Sequence, residues 1–125
     1  MTAEWVLVVD MCGKPTLTNQ AHQMHYRAVS ADRKVWRQAG AVLARAAHIP
    51  PMDRITVDVT ARWQKGTLPD PDAVAPALKG VLDGIVDAGV VPDDSGRHVE
   101  WVRYFAPVLD RALPPALLVT IAEFS

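Results

Sequence analysis

The sequence contains a single cysteine, Cys12, and no long hydrophobic run. One cysteine forms no internal disulfide and supplies no cysteine-based zinc site, which is typical of a protein from a reducing compartment. The apolar stretch at residues 5–9 lies between Glu4 and Asp10 and has no basic leader, so we expect neither a signal peptide nor a membrane span. We therefore expect a cytoplasmic protein whose fold depends on its hydrophobic core.

The sequence motifs of several enzyme classes are also missing. There is no glycine-rich phosphate loop, no G-x-S-x-G nucleophile motif and no H-E-x-x-H zinc motif. His22 and His25 occur without neighbouring cysteines, which argues against a zinc site. We interpret these two histidines as surface or phosphate-contacting residues.

The amino-acid composition predicts one globular domain spanning residues 1–125, since half of the residues are apolar and 22% are charged. Hydrophobic periodicity predicts strands at 4–10, 54–63, 97–105 and 116–124, and helices at 31–47, beginning after Ser30, and 76–88, ending before Gly89. Residues 18–26 show no period and are predicted to be a loop. This order predicts an α+β domain, with helices covering one face of a mixed sheet and the last two strands paired antiparallel. Four tryptophans in four elements are interpreted as core residues: Trp5, Trp36, Trp63 and Trp101.

Charge is distributed unevenly along the chain. Residues 21–45 carry five Arg or Lys side chains and one Asp, a net charge of +4. Residues 66–100 carry seven acidic and two basic side chains, a net charge of −5. The first segment is suited to an anion and the second to a cation.

Carboxylates in the acidic segment occur before, on and after the predicted helix 76–88. In an extended D-x-D sequence, residues two apart project to the same side, so Asp70 and Asp72 can converge on one cation. Asp94 must return over the sheet to join them. Three converging carboxylates suit Mg²⁺, which takes oxygen ligands and keeps waters for a phosphate substrate.

Simpler structural roles exist for each of these acids. Asp70 and Asp72 adjoin prolines and could cap a helix, while Asp93 and Asp94 precede Ser95 and Gly96 in a turn-like sequence. Asp83 follows Lys79 by four residues, the spacing of a surface ion pair on a helix. Spacing alone leaves both interpretations open.

Taken as one unit, residues 70–95, DPDAVAPALKGVLDGIVDAGVVPDDS, resemble the signature of the RusA family of Holliday junction resolvases, especially its phage and prophage members. The pattern is a D-x-D, a helix with a Lys and an Asp four residues later, a D-x-G sequence that ends this helix, and a D-D-S turn before a strand. Its positions here are Asp70, Asp72, Lys79, Asp83, Gly89, Asp93, Asp94 and Ser95. The resemblance extends more loosely through the N-terminal half, where Asn19 and His25 lie in a polar loop. The chain departs from the pattern at Ala73, where members commonly have Asn.

The resemblance implies a homodimeric, Mg²⁺-dependent endonuclease, with Mn²⁺ as a substitute metal, that nicks four-way DNA junctions symmetrically. It implies roles in DNA recombination and repair, or in phage genome processing, within the cytoplasm of a bacterium or phage-infected host. The resemblance implies that three carboxylates bind the metal ion: Asp70, Asp72 and Asp94. It implies that these carboxylates and Lys79 are the catalytic residues.

The basic segment is a candidate DNA-contacting surface, through phosphate contacts of four side chains: Arg27, Arg33, Lys34 and Arg37. A solvated helix face is the alternative for each of them. Two other functions remain open: a less selective branched-DNA nuclease with the same site, and a catalytically decayed DNA-binding dimer. Residues 117–121 and those around Trp101 are candidates for a dimer interface, although we favour core burial for them.

Overall fold

A computed structural model describes residues 3–125, with a four-stranded mixed sheet at the centre. The elements in chain order are β1 (Glu4–Val9), α1 (Thr18–Gln23), α2 (Tyr26–Ala46), β2 (Ile55–Trp63), a 3₁₀ helix (Pro71–Val74), α3 (Ala75–Asp87), β3 (Val99–Leu109) and β4 (Ala116–Glu123). The predicted α+β class, a mixed sheet with helices packed on it, is confirmed. No helix within residues 3–125 is long and apolar enough to cross a membrane.

The strand order is β1-β4-β2-β3, and the predicted pairing of the last two strands is wrong. β3 pairs with β2 in parallel, because the chain returns through α3, and β4 pairs antiparallel with both β2 and β1. The β3–β4 connection crosses the end of β2. There Arg62 Nη2 donates a hydrogen bond to Pro114 O at 2.9 Å, and the Asp110 amide donates to Trp63 O at 2.9 Å. These bonds direct β4 to the far side of β2.

β2 is the centre of the core, and its predicted alternation is confirmed. Five residues of β2 face the core and are at most 2% exposed: Ile55, Val57, Val59, Ala61 and Trp63. The residues between them are half-buried. Because side chains alternate along a strand, the second set lies on the opposite face of the sheet. Both long helices pack on the first face.

The first half of the chain is more helical than its sequence pattern predicts. Residues 18–23 form α1 rather than a loop, and α2 begins at Tyr26 instead of Ala31. The α2 N-cap is His25, whose Nδ1 accepts a hydrogen bond from the Arg27 amide at 3.2 Å. Histidine is not a usual N-cap, so the sequence signal favoured Ser30.

α1 is too short to be stable by itself and is held by one long-range hydrogen bond and one local capping bond. The Thr18 hydroxyl donates to Ala73 O at 3.2 Å, and Gln20 Oε1 accepts from the Leu17 amide at 2.9 Å. The first of these bonds joins α1 to the 3₁₀ helix. α1 therefore lies beside the acidic segment.

α2 and α3 approach closely because glycines stand where they meet. A Cβ atom at Gly84 would lie 2.1 Å from Arg37 O, and one at Gly40 would lie 2.4 Å from Val81 O. Gly80 similarly faces Trp36. The close contact places the charged outer edges of the two helices side by side.

The segment before α3 differs from its predicted form. Asp70 is extended, but Asp72 lies inside the 3₁₀ helix, so the D-x-D sequence is not extended throughout. α3 then spans 75–87, within one residue of the prediction at each end. Gly89, with φ of +83°, ends it as predicted.

The other face of the sheet carries no helix among the residues that the structure describes. Trp101 lies on this face, because it is in register with Thr56 of β2. Its predicted place in the core is therefore wrong, although Trp36 and Trp63 are buried as expected. The reason is its position in β3, where it faces away from α2 and α3.

Candidate active site

Asp70 and Asp72 lie on the same open groove, which has a volume of about 540 Å³. Asp70 precedes the 3₁₀ helix and Asp72 lies in its first turn. The opposite wall is α1, which presents Asn19 and His22. The fold thus brings the two carboxylates of the D-x-D sequence to one surface, as the sequence predicted.

These two carboxylates are exposed, and their side chains do not perform the structural tasks that adjoining prolines suggested. The Asp70 side chain makes no capping hydrogen bond; its backbone oxygen accepts from the Ala73 amide instead, at 3.1 Å. Neither carboxylate belongs to any ion pair formed within residues 3–125. Both are therefore available to a ligand.

Tyr104 of β3 lies near Asp72. Burial raises the pKa of the Tyr104 phenol, and the negative charge of Asp72 raises it further. The phenol therefore stays protonated at neutral pH beside the carboxylate. It is a neutral hydrogen-bonding group at the edge of the acidic surface.

Lys79 lies in the second turn of α3 and joins two acids from different elements. Its Nζ donates to Asp83 Oδ1 at 3.2 Å and to Asp94 Oδ2. The hydrogen bond to Asp94 is the main reason that the pKa of Lys79 is raised, with a further contribution from Asp83. Lys79 is thus firmly cationic, and the predicted Lys79–Asp83 ion pair is confirmed.

The two acids of the D-D-S turn have different surroundings. Asp93 accepts a hydrogen bond from the Ser95 amide at 2.8 Å, and its bonds to Ser95 lower the pKa of its carboxyl group. Asp93 therefore has the structural role that turn chemistry predicts. The Asp94 side chain instead faces α3 and forms an ion pair with Lys79. The loop after α3 therefore folds back to this lysine.

The structure divides the predicted metal ligands into two groups. Asp70 and Asp72 share the groove, whereas Asp94 is paired with Lys79. Across residues 3–125, no three His, Cys, Asp or Glu side chains are close enough together to hold one metal ion. The exposed oxygens of Asp70 and Asp72 fit a hard cation such as Mg²⁺. Asp94 does not line this groove, and the predicted convergence of all three carboxylates is not observed.

The predicted DNA-contacting residues also fall into two groups. Arg33 Nε donates to Asp83 at 3.1 Å, and Arg37 forms two hydrogen bonds with Asp87, at 2.6 and 2.7 Å. About half of each arginine side chain remains exposed, but its charge is offset by α3. Two residues form no ion pair within residues 3–125 and are exposed: Arg27, which lies over the Tyr26 ring, and Lys34.

The Arg37–Asp87 pair gives a prediction for acid titration. The hydrogen bonds from Arg37 lower the pKa of Asp87, so the pair stabilises the fold above the unfolded carboxyl pKa of about 3.9. This stabilisation is lost as the pH falls through the lower pKa of the folded state. Carboxyl NMR of Asp87 is expected to show a pKa below about 3.9, and Arg37→Gln should raise it towards that value. An unchanged Asp87 pKa in Arg37→Gln, alongside the control Arg111→Gln, would contradict the assignment.

Two residues near the carboxylates, Asn19 and Tyr104, were not assigned to the site from sequence reasoning, whereas His22 was interpreted as a surface or phosphate-contacting residue. Asn19 and His22 are three residues apart, so they share one face of α1, but this signal depends on recognising a helix there. Tyr104 comes close to Asp72 only through strand order, for which the sequence carries no local signal.

The sequence has no significant match to a protein-family model or to a curated protein.

Proposed function

We propose that this chain is an Mg²⁺-dependent endodeoxyribonuclease of the RusA type, which resolves four-way DNA junctions by paired symmetric nicks. The observation that carries the proposal is the placement of the motif residues around the beginning of α3. Asp70 and Asp72 open onto one groove, and Lys79, about 6 Å along the axis from the first residue of α3, holds Asp94. The motif residues thus form two adjoining charged groups.

The groove supports the metal part of the proposal. Asp70 and Asp72 would hold the cation, with Asp94 as the third ligand after its release from Lys79. Bound Mg²⁺ neutralises phosphate charge and lowers the pKa of a coordinated water. Asn19 and His22 form the facing wall, where an amide and an imidazole can donate hydrogen bonds to phosphate oxygens.

Lys79 supplies a positive charge on the protein side of the reaction. Negative charge grows on the phosphoryl and leaving oxygens during in-line displacement, and an ammonium aimed at them stabilises the transition state more than the ground state. Asp83, itself held by Arg33, remains as a carboxylate partner of Lys79 when Asp94 is given up. In this proposal Lys79 loses its contact with Asp94 and keeps its hydrogen bond to Asp83.

Duplex contacts and dimerisation complete the proposal. Arg27 and Lys34 are the exposed cations best placed to contact phosphates, and Arg33 and Arg37 add partly offset charge beside them on α2.

A junction with approximate two-fold symmetry is cut in two opposed strands by a two-fold dimer with one site per subunit. The partner of each site is therefore a second copy of the chain.

Lys79→Ala tests the catalytic role directly. We expect loss of junction cleavage by about 10²-fold or more, as for removal of one transition-state donor, with junction affinity nearly unchanged. Binding of Mn²⁺ should not weaken, because Asp94 loses its competing partner. Cleavage, gel-shift and metal titration would be compared with Lys65→Ala, which replaces an exposed lysine after β2. Equal losses of cleavage and binding would contradict this role.

Substrate shape separates the proposal from its alternatives. A less selective branched-DNA nuclease would cut three-way and four-way junctions at similar rates. A decayed DNA-binding dimer would bind junctions without Mg²⁺-dependent nicking, and Ala73→Asn would be the variant to test for restored activity. The proposal requires a preference for the four-way junction over both three-way and linear duplexes.

A further inference from the structure

His22 lies on the groove opposite the two carboxylates of the D-x-D sequence. Among the described residues that line the groove, it is the one ionisable side chain besides these carboxylates. Two other histidine rings have structural partners, since His25 caps α2 and His98 is hydrogen-bonded to a backbone carbonyl. His22 is exposed and belongs to no ion pair within residues 3–125. Its imidazole is therefore free to act on a bound substrate.

The direction of the His22 side chain follows from the two faces of α1. Ala21, and Met24 directly after the helix, line a separate cavity of about 110 Å³ whose other walls belong mainly to α2 and α3. Asn19 and His22 line the groove. One face of α1 is thus turned towards the two long helices. The other face presents His22 to the groove.

Thr18 sets the position of α1 relative to the carboxylates. Its hydroxyl donates a hydrogen bond to Ala73 O at 3.2 Å, and Ala73 follows Asp72 directly in the sequence. His22 is four residues after Thr18, so it lies on the same side of α1, about 6 Å further along the axis. A phosphodiester held at the D-x-D carboxylates therefore has the imidazole on its opposite side.

Cutting a phosphodiester needs a proton donor as well as positive charge, because the sugar oxygen leaves poorly as an alkoxide. Lys79 and Tyr104 also carry protons near the acidic surface. The hydrogen bond to Asp94 is the main reason that the pKa of Lys79 is raised, and burial raises the pKa of Tyr104. Both groups therefore keep their protons at neutral pH. Imidazole is the side-chain type that gives up and regains a proton in this range.

We propose that His22 is a catalytic residue of this site, whose imidazolium protonates the sugar oxygen that leaves the phosphorus atom. The oxygen of the attacking water forms the new bond to phosphorus, and the bond to the leaving sugar oxygen breaks. The electron pair of the broken bond stays on that oxygen, which takes the imidazolium proton and becomes a hydroxyl group. The proton lost by the attacking water goes to solvent, from which His22 is protonated again.

Asn19 has a different role on the same wall of the groove. Its amide donates a hydrogen bond to a phosphate oxygen that stays on phosphorus, and it transfers no proton. The contribution of Asn19 therefore does not depend on the leaving group, whereas that of His22 does. This difference allows proton transfer to be separated from substrate binding.

His22→Gln keeps a hydrogen-bonding side chain and removes the acid. Since the inference rests on the proposed function, junction cleavage is the first measurement. We expect kcat to fall by about 10²-fold or more, as for loss of a general acid, with KM and Mn²⁺ affinity nearly unchanged. The control is His48→Asn, at an exposed histidine after α2 whose φ of +54° asparagine tolerates. This variant should keep wild-type activity.

A junction with sulfur in place of the leaving sugar oxygen tests the proton transfer itself. A thiolate leaves without being protonated, because a thiol, with a pKa of about 8.5, is a far stronger acid than an alcohol. The wild type and His22→Gln should cut this junction at nearly equal rates. Asn19→Ala should be slower than the wild type on both the oxygen and the sulfur substrate.

Four results would overturn the role of His22. An equal loss on both substrates would assign it to binding alone, and weaker Mn²⁺ binding by His22→Gln would make it a metal ligand. A His22→Gln protein that cuts the normal junction at the wild-type rate would overturn this inference and leave the proposed function intact. A wild type that cuts no junction would overturn both. Circular dichroism would verify that each variant retains its fold.

Discussion

Asp72→Asn is expected to reduce Mg²⁺-dependent junction cleavage by about 10³-fold or more, because it removes half of the charge of the D-x-D pair at the metal. Asp72 is the more constrained of the two carboxylates, since it lies in the 3₁₀ helix near Tyr104. The substitution preserves shape and removes only negative charge. Cleavage would be measured on a synthetic four-way junction with Mg²⁺.

The stability of Asp72→Asn should remain close to that of the wild type. The Asp72 carboxylate is exposed and belongs to no ion pair within residues 3–125, so the fold does not depend on its charge. Asp53→Asn makes the same chemical change at a side chain that is 96% exposed and should retain full activity. Calorimetric titration with Mn²⁺ gives an independent readout. Undiminished cleavage and metal affinity in Asp72→Asn would exclude the proposed site.

Gly84→Ala is expected to destabilise the protein by about 2 kcal/mol or more, although alanine is the better helix former by about 1 kcal/mol. A Cβ atom at this position would lie 2.1 Å from Arg37 O and 2.6 Å from Ala41 N, which are backbone atoms of α2. Backbone cannot move aside as a flexible side chain can. The helices must therefore separate, which also weakens the Arg37–Asp87 ion pair.

The control for Gly84→Ala is Gly96→Ala, where an added Cβ meets no atom within 4 Å. Urea unfolding should give nearly the wild-type free energy for this control and a lower midpoint for Gly84→Ala. A Gly84→Ala protein as stable as the wild type would show that α2 and α3 are not in such close contact. The same experiment on Gly80→Ala should show a cost, since its Cβ would lie 2.7 Å from Trp36 Cβ.

Much of the fold is predictable where local pattern and tertiary burial agree. β2 alternates because one side of it is entirely buried, and α3 is bounded by a proline near its start and Gly89 after its end. The elements that differ depend on distant residues. α1 is held by the Thr18 bond to Ala73, and β4 is directed past β2 by contacts with the 110–115 connection.

The candidate site shows the same division between local and long-range information. Asp70 and Asp72 lie on one groove as predicted, but the predicted reason is wrong, because the chain is extended only at Asp70 and has entered the 3₁₀ helix at Asp72. The pairing of Arg33 and Arg37 with Asp83 and Asp87 has a signal in the matching four-residue spacings, but recognising it requires knowing that α2 and α3 are in contact. The family resemblance remains a prediction that rests on the motif residues.

Strand-resolved mapping of nicks in a four-way junction with Mg²⁺ tests the central claim most directly. Each strand would be end-labelled in turn, beside a linear duplex of matched sequence and a reaction with Asp94→Asn. The account predicts paired nicks at symmetric positions in two opposed strands of the junction, absent from the duplex and from the variant. A folded wild-type protein that leaves every strand of the junction uncut would contradict it.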